Sequence, residues 1–175
     1  MNIRMPIGLL LFAACPLALA QSTEPLVHEG VVAAPIETVW RAWTTSEGLR
    51  SWLAPHAEID LSIGGKMRAN YNPDGSLSDG DVIENTILAF DPQRMLSIRV
   101  SKAPDNFPFP DTIHEMWTVI YFEPSGVDET FVRVVAMGFT ASEQSQAMRA
   151  FFERGNALTV REMQERIGRT TESSP

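Results

Sequence analysis

Three groupings of side chains in this sequence have the types and spacing that chemistry needs. His56, Glu58 and Asp60 alternate, so the two-residue period of a strand would put three metal-ligand groups on one face. The same row equally describes the wetted face of an edge strand, and that reading is adopted. Asp74, Asp79 and Asp81 crowd a glycine-containing turn and could offer carboxylates to calcium. They lack the regular 1-3-5 ligand spacing and the closing Glu of a calcium loop, so they read as a solvated turn. Glu162 falls between Leu158 and Arg166 on a helical pattern, where a buried acid could move protons. Arg166 stands four residues on, the ordinary helical ion-pair spacing, and a salt bridge is expected. No Gly-x-Ser-x-Gly elbow, phosphate-cradling glycine loop or His-Glu-x-x-His pair occurs. No catalytic residue, metal or cofactor is assigned.

The composition narrows the class. The chain has 175 residues, 44% hydrophobic and 21% charged, enough for one domain with its own core. Its net charge of −8, with no basic cluster, argues against nucleic-acid binding, which depends on neutralising phosphates. Residues 1–20 read as a signal peptide: Arg4, an apolar run from Ile7 to Ala14, then Ala18-Leu19-Ala20 as a small-x-small cleavage site. The expected mature chain begins at Gln21 in the periplasm or outside the cell. The single cysteine, Cys15, sits in a partial lipobox, Phe12-Ala13-Ala14-Cys15, and lipidation there is the lesser alternative. Cleavage at Ala20 would leave no thiol and no disulfide.

These residues must be positioned by a simple series of elements. Leu26–Val32 reads as a strand, Ala34-Pro35 opens a helix carrying Val39, Trp40 and Trp43, and Ser46 is expected to cap a second helix ending at Trp52. Strands are expected near 57–62, 66–71, 81–90, 94–101, 113–122 and 130–137, separated by Gly, Pro and Asp turns. The gaps are too short for crossover helices, so the sheet is antiparallel. A long helix over Ser142–Ile167 follows, capped by Ser142. Met148, Phe151, Phe152, Gly155, Leu158, Thr159, Met163 and Ile167 share its broad face. Gly155 costs about 1 kcal/mol against Ala in mid-helix, which implies close backbone approach or space left open beneath it. Residues 169–175 read as a frayed tail, leaving 21–168 as the domain.

The segment VVAAPIETVWRAWTTSEGLRSWLAP (31–55) resembles the entry segment of SRPBCC proteins. It is most similar to those related to the C-terminal domain of the activator of heat-shock-protein-90 ATPase. The likeness continues through IDLSIGGKMRANY (59–71), ILAFDPQRMLSIRV (87–100) and VIYFEPSGVDETFVRVVAMGF (119–139). It implies an α+β helix-grip fold, with a curved antiparallel sheet wrapped around the C-terminal helix and an apolar cavity between them. Fold alone does not fix activity. An export signal would separate this chain from a cytosolic chaperone and its ATP, so no such partner is expected.

The expected function is therefore to hold a small apolar or amphipathic molecule without catalysis. A cyclase- or hydrolase-like enzyme using the same cavity, and an interaction module acting through the outer sheet face, are the alternatives. Trp43, Trp52, Phe107, Phe109, Ile120, Met148, Phe151, Phe152, Gly155, Asn156 and Thr159 are the expected cavity residues, with Asn156 and Thr159 supplying polarity. The run Ala103–Pro110, with three prolines and two phenylalanines, reads as a lid at the cavity mouth or as a packed loop. On the strand around Met116–Phe122, Thr118, Ile120 and Phe122 should face the helix. Trp117, Tyr121, Phe131 and Val135 would then form an outer apolar patch open to self-association.

Overall fold

Proline 35 ends the first strand's run and stands at the N-cap of a helix, its fixed φ of −57° already suited to the turn. In the computed structural model, which describes residues 22–172, β1 spans Leu26–Val32 and is followed by α1 (Ile36–Thr44) and α2 (Ser46–Trp52). The strands β2 (His56–Ile59), β3 (Lys66–Asn70), β4 (Ile83–Asp91), β5 (Met95–Lys102), β6 (Trp117–Pro124) and β7 (Thr130–Met137) come next, and α3 (Glu143–Glu172) closes the chain. The expected signal peptide, Cys15 and Gln21 lie outside the described residues.

All seven strands form one antiparallel sheet in the order β1-β7-β6-β5-β4-β3-β2. The two short helices carry the chain from one edge of this sheet to the other. With α3 against its inner face, this is the expected helix-grip architecture.

Four local details differ from the sequence expectation. The cap of α2 is Thr45, whose hydroxyl accepts the Gly48 amide at 3.0 Å. Ser46 instead accepts the Ile59 amide at 3.0 Å and ties α2 to β2. The expected strand over 113–122 begins only at Trp117, because Ile113–Glu115 coil into a single 3-10 turn that buries Ile113. Helix α3 continues to Glu172 rather than fraying after Gly168, since extending a formed helix costs far less than starting one. Its start is as expected, with the Ser142 hydroxyl accepting the Ser145 amide at 3.2 Å.

Two apolar clusters pack between helix and sheet. The larger joins Trp40, Trp43, Trp52 and Phe122 to Val160, Met163 and Ile167 of α3. Trp40 meets Phe122 edge-on at 5.5 Å, and Trp43 meets Trp52 at 4.8 Å. Here β1 and α3 are pressed together. A Cβ at Gly30 would lie 2.7 Å from Val160 Cγ1, so glycine is what lets the strand approach. The smaller cluster holds Ile113, Met116, Phe139 and Met148, with Phe107, Phe109 and Phe152 packed against it.

Candidate functional site

Between the clusters the helix and sheet part. The gap is a cavity of about 400 Å³, within the range of small-molecule sites. Its roof is the face of α3 from Phe151 to Thr159, and a Cβ built on Gly155 would meet nothing within 4 Å. Its floor is the inner face of the sheet, where Met67, Ala69, Ile83, Ile98, Ile120 and Val134 alternate inward along five strands. Pro104 and Phe107 close one side.

Eight of the expected residues line this cavity together: Trp43, Phe107, Ile120, Phe151, Phe152, Gly155, Asn156 and Thr159. Three stand off its wall. Trp52 is packed against Trp43, donates its indole N–H to the Ala42 carbonyl at 3.0 Å, and lines a smaller neighbouring cavity instead. Phe109 stacks edge-on to Phe107 at 5.8 Å and to Phe151 at 6.0 Å and so supports them from behind. Met148 is fully buried among Ile113, Met116 and Phe139. Helical period assigns a face, and the curve of the sheet decides what lies under it. Leu53, Met67, Tyr71, Ile83, Asn85 and Met116 line the cavity without having been singled out. The inward alternation of Met67, Ala69 and Tyr71 with Ile83 and Asn85 was the available signal.

The loop over 103–112 both covers the cavity and packs on the helix. Phe107 meets Phe151 at 5.6 Å and Phe152 at 6.3 Å. Its other side is moored to the loop before β4: the Asp105 amide donates to the Gly80 carbonyl at 3.0 Å, and the Asp105 carboxylate lies over the Gly80 α-carbon.

No Asp, Glu, Lys, Arg or His is among the residues lining the large cavity. Its polar members are Tyr71, Asn85, Thr118, Asn156 and Thr159. Thr159 donates its hydroxyl proton to the Gly155 carbonyl at 3.0 Å, so toward the cavity it can only accept. The amide nitrogen of Asn156 is buried with no hydrogen-bond partner, an unmet donor that costs roughly 1–3 kcal/mol. Crowding around the Tyr71 phenol favours its protonated form and raises its pKa, although 58% of the residue is exposed; both leave a neutral hydroxyl at neutral pH.

Members of each grouping first considered for chemistry are engaged elsewhere. Glu58 pairs with Arg68 at 2.8 Å, and His56 Nε2 lies 3.1 Å from the Pro73 carbonyl. Asp79 accepts the Ser76 hydroxyl at 2.8 Å and the Ser76 amide at 2.6 Å, contacts that hold its carboxyl below its usual range. Glu162 and Arg166 form the expected ion pair at 2.7 Å. Among the described residues no three metal-ligating side chains come together.

The outer sheet face is more closed than the sequence suggests. Thr118 and Ile120 line the cavity and Phe122 is buried in the larger cluster, as expected, but Val119 and Val135 oppose each other across β6 and β7 and are nearly buried. Arg99 lies 5.8 Å over the Trp117 ring, and Arg133 pairs with Glu29 at 3.3 Å. Tyr121 keeps 39% of its surface exposed, and Val27 and Val31 on β1 keep 42% and 40%.

Residues 33–168 match the family described as Activator of Hsp90 ATPase homolog 1-like protein. The chain belongs to that family. It is thereby a member of the SRPBCC superfamily, as the segments quoted above resemble. Solved structures share the fold at low identity. A protein from Mesorhizobium loti is 20% identical with a TM-score of 0.64, over 84% of this chain and 98% of that one. The Aha1 dimer from Colwellia psychrerythraea is 16% identical with a TM-score of 0.59, over 82% and 97%. Norcoclaurine synthase from Thalictrum flavum, solved with dopamine and hydroxybenzaldehyde, is 14% identical with a TM-score of 0.61, over 97% and 99%. No curated protein matches the sequence. A family whose fold serves binding proteins and enzymes alike leaves function to the site itself.

Proposed function

We propose that this family member is an exported carrier or sensor that holds one neutral, mostly apolar small molecule between α3 and the sheet. The observation that carries this reading is the cavity of about 400 Å³ with no ionisable group on its wall except the Tyr71 phenol. Burying an unpaired charge there would be costly, whereas an apolar body gains from leaving water. Asn85, Thr118 and Asn156 supply hydrogen bonding at separate points on the wall, enough to orient a ring or chain bearing a carbonyl or hydroxyl. The absence of an acid or base on the wall favours binding over proton-transfer catalysis. The reading of residues 1–20 as a signal peptide is the basis for export.

Native mass spectrometry of protein isolated from its own host tests the reading. The expected result is a co-purifying neutral molecule, released on denaturation, bound to a chain that begins at Gln21. Protein that emerges empty and fails to take up the neutral dye Nile red would overturn it.

A further inference from the structure

A second, smaller cavity of about 210 Å³ adjoins the first. The two share a wall made of Leu53, Tyr71, Leu158 and Thr159. Tyr71 and Leu158 are 58% and 46% exposed, so this partition is open on part of its surface rather than sealed in the core. Beyond it the surroundings change character. The far side of the small cavity carries Glu162 and Arg166, the charged groups that the large cavity lacks.

Resting on the ligand-holding reading above, we infer that the two cavities form a single site for an amphipathic molecule. Its apolar body fills the large cavity, and its polar end, a hydrogen-bond donor, lies in the small one. The donor character follows from proton accounting on one turn of α3. Thr159 has given its only proton to the Gly155 carbonyl at 3.0 Å, so its oxygen presents lone pairs alone. Glu162 takes the Arg166 Nε–H on Oε2 at 2.7 Å and keeps Oε1 as a further acceptor. Thr159 and Glu162 are three residues apart and therefore neighbours on the helix surface. Two acceptors beside the Arg166 guanidinium, a donor on the same wall, suit an alcohol, which both donates and accepts and adds no charge. A carboxylate end would be repelled by Glu162 and a protonated amine by Arg166. The Glu162–Arg166 pair, with side chains 35% and 56% exposed, is the kind of surface ion pair that a ligand can join at little cost.

Displacement of Nile red by three probes of equal chain length, each below its micelle concentration, tests this: decan-1-ol, decylamine and decanoate. On the unaltered protein the alcohol should act at concentrations about tenfold lower than either the amine or decanoate, the effect of one good hydrogen bond. An amine acting at lower concentrations than the alcohol would overturn the neutral polar end. Glu162→Gln should shrink the alcohol-to-decanoate ratio about tenfold, and Thr159→Val should shrink the same ratio about threefold. Glu153→Gln, an exposed acid on the same helix outside both cavities, should leave that ratio unchanged. Equal displacement by all three probes, or a ratio that survives both substitutions, would overturn the headgroup site while Nile red binding still upheld the cavity. A protein that binds no Nile red would end both ideas together.

Discussion

Between Val160 and Ile167, α3 lies so near β1 that any side chain at Gly30 would start 2.7 Å from Val160 Cγ1; between Phe151 and Thr159 the same helix stands clear, and a side chain at Gly155 would meet nothing within 4 Å. Both glycines lie at the interface of helix and sheet, and the reasons for them are opposite. One removes a side chain so that two backbones can touch, and the other so that they need not. The tight half anchors the helix through the tryptophan cluster, where Trp43 donates its indole N–H to Met163 Sδ at 3.3 Å. With that anchor in place the other half can bridge an empty volume without collapsing into it.

The sharpest way to break this comparison is to place the same kind of side chain in each half. Gly30→Val should cost about 1–3 kcal/mol, because Val160 is β-branched and cannot swing aside. Urea unfolding measures it; a stability unchanged within error would mean the helix can lift away and that the tight half is not an anchor. Gly155→Leu should do the reverse. The added side chain enters open space and gains roughly 0.8 kcal/mol of helix propensity, so the melting temperature should hold or rise. Nile red uptake should fall in the same variant. Strong destabilisation with unchanged dye uptake would show a solid core where the cavity is placed.

The smallest effect tests whether charge on β4 matters to either half. Glu84 accepts from Lys66 and Ser101 and faces Arg68, and these contacts hold its carboxyl below the usual range. A depressed folded value means that stability from this group is present above the unfolded carboxylate range and is lost as pH falls through the folded one. Glu84→Gln should therefore lower stability by at most about 1 kcal/mol at pH 7 and make the loss between pH 5 and 3 slightly shallower. Thermal melts across that range would show it; an acid profile identical to that of the unaltered protein would remove Glu84 from the account.

The strands were legible because period-two patterning and turn residues act locally, and β7 stands over the residues that the sequence indicated. The start of β6 was not. Ile113 and Met116 look like strand residues, yet burying Ile113 through one tight turn brings it into the second cluster. The helix cap was missed by one residue because Thr45 and Ser46 are both good caps, and Ser46 was needed by β2. In the site, helical period found the roof and composition singled out Gly155. Apart from Ile120, the floor was hidden. Which inward residues of β3 and β4 are covered depends on how the sheet curves, and no short stretch of sequence records that curvature.

The strand order also has a kinetic consequence. β1 is the first described strand, yet among the described residues its only neighbour in the sheet is β7, with Leu26 opposite Ala136 and Val32 opposite Thr130. Almost the whole domain must be present before that pair can zip, and topologies dominated by such distant pairings fold slowly, on the order of milliseconds to seconds. Until then β1 is unpaired. Once paired it is still an end strand, and the last helix ties its backbone at one point, where Gln164 donates its side-chain amide to the Val31 carbonyl at 3.0 Å. Helix α3 is thus a late clasp as well as a roof, and a nascent chain stopped before it would leave that end strand without its clasp.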